Sequence, residues 1–165
     1  MPKPKRPAVP KFKNQKSIAQ ATIPNSMKRI QASEPEWAQS NPAWRIQAMQ
    51  LCDPYGWHIV NVDKLNEIIS KLACFESMTW AEILIQARKQ NHSVEVWNLE
   101  KSARDRLKEL GLADTQSEDP PKVEELISLH LCGKERIWGF LDGRVLHLLW
   151  WDPDHEVCPS ILKHT

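Results

Sequence analysis

The dipeptide Asp142-Gly143, set between two apolar runs at 136–141 and 144–151, constrains the fold of this chain more than any other feature. Both central positions of a two-residue hairpin loop need positive φ, and Asp-Gly supplies it at little steric cost. Upstream, Leu126, Ser128, His130 and Cys132 alternate with Ile127, Leu129 and Leu131, the period of a strand. Gly133-Lys134 then turns the chain into the first of the two runs. The C-terminal part therefore predicts a three-strand antiparallel meander whose last strand, 144–151, is apolar enough to be buried on both faces.

Helical spacing precedes the meander. Leu65, Ile68, Ile69 and Leu72 fall on one face of a helix over 64–74, with Asp63 as its expected cap. Trp80, Ile83, Leu84 and Ala87 mark a second helix, capped by Ser77 or Thr79 and running to about Gln90. Leu99, Ala103, Leu107 and Leu110 mark a third over 98–110, which Gly111 stops. A further helix is expected from Pro42, and a short strand over 57–62. An extended piece fits 91–96, and 113–122 reads as a loop. The expected class is α+β, with the helices packed on one face of a small antiparallel sheet.

Charge divides the chain. Lys3, Lys5, Arg6, Lys11, Lys13, Lys16, Lys28 and Arg29 oppose Glu34 alone over residues 1–35, a charge of +7, while the rest carries −6. Prolines and sparse apolar residues give 1–33 the reading of a basic, disordered arm, leaving one domain over 34–165. Such an arm neutralises phosphates or merely solubilises the chain. The longest uncharged apolar run is far too short for a membrane span, and no apolar segment follows the N-terminal charges as in a secretory signal. Cys52, Cys74, Cys132 and Cys158 lack a Cys-x-x-Cys pair, so free thiols in a reducing, cytoplasmic compartment are expected. A zinc site drawn from His155, Cys158 and His164 has no second ligand pair, and no metal or cofactor is expected.

The densest polar and aromatic segment runs from Lys134 to Cys158. Its strand Arg136-Ile137-Trp138-Gly139-Phe140, its turn Asp142-Gly143, its apolar last strand and His155 just beyond resemble the C-terminal meander of the RelE/ParE superfamily of bacterial toxins, in particular the RNA-cleaving members. The resemblance implies a RelE-like fold, cleavage of RNA (including ribosome-associated mRNA), a bacterial cytoplasmic setting, and an antitoxin-like protein partner covering the Arg136/His155 face.

The residues support the same chemistry independently. Cleavage at an RNA 2′-OH needs a base, an acid and a cation for the developing phosphorane charge. Arg136 forks onto phosphate oxygens, and His155 titrates near neutrality and is expected as general acid. Strand alternation puts Glu135 opposite Arg136, which leaves Glu124 or Glu125 as the partner base. Across a two-residue turn Leu141 pairs with Arg144, Phe140 with Val145, Trp138 with His147 and Arg136 with Leu149. Arg136, Trp138, His147, Leu149 and Trp151 then share one face, and His147 becomes a second acid or base. Ile137, Leu146, Leu148 and Trp150 face the helices. Arg144 and Trp151, with the arm, are expected to contact RNA, Trp151 (like Trp57) by stacking on bases. Plain structural roles compete with each of these: a surface ion pair for Arg136, a hydrogen-bonded turn for His155, a core position for His147. A non-catalytic protein- or nucleic-acid-binding module using the basic arm is the alternative function.

Overall fold

The expected meander is the centre of a larger sheet. In the computed structural model, which describes residues 35–113 and 123–159, β3 (Glu125–His130), β4 (Arg136–Asp142) and β5 (Val145–Asp152) pair antiparallel in succession. Two short strands extend it: β1 (Ala43–Arg45) runs parallel to β5, and β2 (His92–Glu95) antiparallel to β3. The order is β1-β5-β4-β3-β2, so the class is α+β with a five-stranded mixed sheet, in place of the expected small antiparallel one. The chain divides into Met1–Ser33 and Glu34–Thr165. All eight basic residues assigned to the arm, and His164, lie outside the described residues.

β1 occupies the place of the helix expected from Pro42. Its three residues gain a ladder with the apolar strand β5, while Trp44 sets its ring edge-on against Trp80, centroids 6.0 Å apart, and donates its indole N–H to Glu76 at 2.8 Å. Pairing and packing outweigh local propensity there. The strand expected over 57–62 is a 3-10 turn, Trp57–Ile59.

Helix α1 spans Val62–Glu76 and is capped by Asn61, whose side chain accepts from the Lys64 N–H at 2.8 Å; Asp63 lies within its first turn. Thr79 and Glu82 form a reciprocal capping box at the next helix start. That helix, Ala81–Gln86, has π geometry and ends before Gln90. Helix α2 spans Lys101–Glu109, and Gly111 follows at φ 65°.

Helices cover both faces of the sheet, not one. Ile127, Leu129, Ile137, Leu146 and Trp151 pack with Ile68 and Phe75 of α1 and with Trp80 and Ile83. Leu126, Trp138, Leu149 and Trp150 pack on the other side with Ala103 and Leu107 of α2.

The β4–β5 register differs from the two-residue expectation. Asp142 pairs with Val145 and Leu141 with Leu146, which moves the loop to Gly143-Arg144, with Gly143 at φ 56°. A bulge follows: Gly139 pairs with Leu148, but Trp138 pairs with Trp150 and Arg136 with Asp152. Gly139 permits the close approach, because a Cβ there would stand 2.4 Å from the His147 carbonyl oxygen. The bulge reverses the alternation of β5 beyond Leu149. Trp150 therefore joins the Arg136 face, and Trp151 moves to the face of α1, where it is 3% exposed.

Candidate active site

The α2 face of the sheet is apolar in its middle and polar at one end. That end is a row across four strands: His92 on β2, His130 on β3, Arg136 on β4 and Asp152 on β5. His130 and Arg136 are direct cross-strand partners, as are Arg136 and Asp152, and His92 pairs with Ser128, two residues before His130. His155 enters from the turn after β5. His92, His130, Arg136 and His155 are all half-buried.

Asp152 builds the turn that carries His155. It is 1% exposed, and its carboxylate accepts from the Trp138 indole N–H at 3.2 Å and from the backbone N–H groups of Glu156 at 2.8 Å and Val157 at 3.0 Å. With both oxygens engaged, it fixes the turn and spans the two strands. His155 is held there at φ 60°, a left-handed conformation that costs a branched-at-Cγ residue about 1–3 kcal/mol.

Arg136 has no carboxylate partner among the described residues. Its Nη1 donates to the carbonyls of Gly133 at 3.0 Å and Glu135 at 2.9 Å, and its buried Nε has no hydrogen-bond partner. The same Gly133 carbonyl lies 3.1 Å from His130 Nε2, so His130 donates through that nitrogen. Gly133, at φ 50°, thus orients two side chains of the row. The His130 backbone N–H is fixed in turn by the Asn91 side chain at 2.9 Å.

Electrostatics bind the row together. Burial, then the Arg136 charge, pushes His92 below the ordinary histidine value. His155 is lowered by burial and then by Arg136, against an opposing pull from Asp152, with smaller repulsion from His92 and His130. Burial also lowers Arg136, opposed by Asp152. His92 and His155 are thus shifted toward the neutral form, while Arg136 makes no ion pair among the described residues and feels only the field of Asp152, an arrangement that can receive an anion.

The other residues named from the sequence lie elsewhere. His147 shares the Arg136 face, as expected, but is opposite Phe140, with rings stacked 4.6 Å apart, and lies 4.0 Å from Asp142. Five residues of strand, about 16 Å, separate it from Asp152. Glu124 is six residues before His130, at the far end of β3 about 20 Å away, and lines a separate cavity beside α2. Glu125 is hydrogen-bonded by Ser93. Glu135 pairs with Lys64 of α1 at 2.8 Å. Trp151 and Trp57 pack on each other in the core, centroids 6.1 Å apart, so neither offers a face to a base. Arg144 is exposed and donates to the Asn41 carbonyl at 3.4 Å.

His92 and His130 were not singled out as site residues from the sequence. His130 had a legible signal: a turn at Gly133-Lys134 sets it opposite Arg136. His92 had none, because its place depends on which strand β2 joins. Among the described residues no group of three or more His, Cys, Asp or Glu is arranged to hold a metal ion, and no helix is long and apolar enough to cross a membrane. Comparison with protein families, with curated proteins and with solved structures finds no match to this chain.

Proposed function

We propose that the protein is a RelE-like, toxin-type endoribonuclease that cleaves RNA by general acid–base catalysis without a metal. The observation that carries this reading is the row itself: a guanidinium with no carboxylate ion pair among the described residues, with His92 and His130 on the neighbouring strands and His155 in the turn after β5. A scissile phosphate seated on Arg136 has His92 and His130 on the β2–β3 side and His155 on the β5 side. In-line attack of a 2′-OH needs its base and acid on opposite sides of phosphorus, and in this reading His92 and His155 take those places.

Burial and then the Arg136 charge lower His92, shifting it toward the neutral form that suits the base taking the 2′-OH proton. Burial and then the Arg136 charge lower His155 too, with Asp152 pulling the other way, so in this reading His155 takes up the proton it later gives to the departing 5′-oxygen once a bound phosphate offsets Arg136. Arg136 stabilises the charge gathering on the non-bridging oxygens, and the phosphate in turn cancels the Arg136 repulsion that depresses both histidines. His130, tied to Gly133, supports the geometry. The chain balances as a transesterification: the 2′-oxygen bonds to phosphorus, the 5′-oxygen leaves, and a 2′,3′-cyclic phosphate remains. An antitoxin-like partner covering the Arg136/His155 face belongs to the same reading.

The test is incubation of the full-length protein with an RNA oligonucleotide in the presence of a chelator. Cleavage is expected to give cyclic phosphate ends, to stop when the scissile 2′-OH is replaced by hydrogen, and to fall by about 10²–10⁴-fold in His155→Ala or His92→Ala. Intact RNA with the folded wild-type protein, or cleavage that survives both substitutions, overturns the reading.

A further inference from the structure

A cavity of about 520 Å³ opens at the other end of β2, and the ribonuclease chemistry makes no use of it. Three kinds of group meet there. Trp97 lines it and is 70% exposed, whereas Trp57, Trp80, Trp138, Trp150 and Trp151 are core residues. Arg104 and Lys108 enter it from α2, four residues apart and so on one helix face. Neither makes an ion pair among the described residues, and the Arg104 Nε is buried with no hydrogen-bond partner. Carboxylates complete it: Glu95, Glu124 and Glu125. Glu95 is hydrogen-bonded by Asn98 and Glu125 by Ser93, while the Glu124 carboxylate has no hydrogen bond among the described residues.

An exposed indole, two cations and a carboxylate, the last three without ion pairs among the described residues, complement the base and the phosphate of a nucleotide. The indole stacks on any base, the cations take the phosphate, and the carboxylate selects the base. A carboxylate only accepts hydrogen bonds. Guanine presents two adjacent donors on its Watson–Crick edge, N1–H and the N2 amino group, and both meet one carboxylate. Adenine and cytosine place an unprotonated ring nitrogen beside their single amino group, which a carboxylate repels. We infer that the cavity lined by Trp97, Arg104, Lys108 and Glu124 is a guanine-nucleotide subsite. Guanine stacks on Trp97 with its N1–H and N2–H donating to Glu124, and its phosphate lies on Arg104 and Lys108.

That the guanine belongs to an RNA chain rests on the ribonuclease reading; the guanine pocket itself does not. The four residues from His92 to Val96 span about 13 Å at a strand's rise of about 3.3 Å per residue. A stacked strand advances about 3.4 Å per nucleotide, so the subsite would select a guanine within roughly four nucleotides of the scissile phosphate.

The experiment titrates full-length ¹⁵N-labelled protein with 5′-GMP, 5′-AMP and 5′-CMP and follows the tryptophan indole N–H signals, Trp97 being assigned with Trp97→Phe. GMP is expected to move the Trp97 signal saturably and to bind at least about tenfold tighter than AMP or CMP. Glu124→Gln is expected to erase most of that preference, and Arg104→Ala with Lys108→Ala to weaken GMP while leaving guanosine unchanged. No saturable GMP shift, equal response to AMP, or selectivity that survives Glu124→Gln overturns the inference. The same titration in Arg136→Ala separates the two sites. GMP binding retained there, with wild-type protein that leaves RNA intact, supports the pocket and removes the nuclease. RNA cleavage without any GMP response at Trp97 does the reverse.

Discussion

Two consecutive rungs of the sheet, one residue apart along every strand, are built in opposite ways. Leu129, Ile137 and Trp151 form the first rung, on the α1 face, and each is 3% exposed or less. His130, Arg136 and Asp152 form the second, on the α2 face. The first rung gains by removing apolar surface from water and needs nothing further. The second loses hydration and recovers it mainly through main-chain groups: the Gly133 and Glu135 carbonyls for Arg136 and His130, the Glu156 and Val157 N–H groups for Asp152. Within that rung the acid is fully bonded and the guanidinium is not. Asp152, the cross-strand partner of Arg136, spends its oxygens on Trp138 and the turn, so the guanidinium keeps donors that an anionic ligand can use.

Substitutions at the two rungs should therefore separate stability from activity. Trp151→Ala is expected to cost about 3–5 kcal/mol in denaturant unfolding, because the buried ring leaves a cavity between sheet and α1. Arg136→Ala is expected to leave the unfolding midpoint almost unchanged and to lower RNA cleavage by about 10²–10³-fold, with Arg136→Lys failing to restore the forked contact. A large stability loss in Arg136→Ala would erase the contrast between the rungs.

A pH series sharpens the comparison further. His92 and His155 bind protons less readily in the folded chain than in the unfolded one, so the unfolded state gains protons first as pH falls. Stability contributed by these histidines is present above about pH 6.5 and is lost progressively below it. Unfolding measured between about pH 7.5 and pH 5 should show this decline, and His92→Asn should flatten it. An unchanged slope in that variant would detach His92 from the row.

The smallest effect has the opposite sign. His155→Gly relieves the φ 60° conformation and is expected to raise stability by about 0.5–1 kcal/mol while removing the general acid. A loss of stability would show that the imidazole contributes packing there instead of chemistry.

Much of this was legible before any coordinates. The alternation after Leu126 and the helical spacing of 64–74 follow from local periodicity, and a strand and a helix stand there; a tight turn also follows the first apolar run, one residue later than Asp142-Gly143. Strand period also put Arg136 and Trp138 on one face of β4, whereas His155 lies in the turn beyond β5, where no strand period applies. Other assignments depended on partners far away in sequence. Nothing local distinguishes Pro42 as a helix start from Ala43 as the start of a strand, because β1 exists only through its pairing with β5. The bulge at Gly139 is a packing event between two strands, and one extra residue was enough to exchange the faces of Trp150 and Trp151. His92 reached the site only through the choice of β3 as the partner of β2. Local interactions fix which segments are helices and strands and which side chains alternate, and those the sequence determined by itself. Which strands meet, in what register, and hence which histidines surround Arg136, was decided by the tertiary structure, because pairing energies are shared between segments and belong to neither alone.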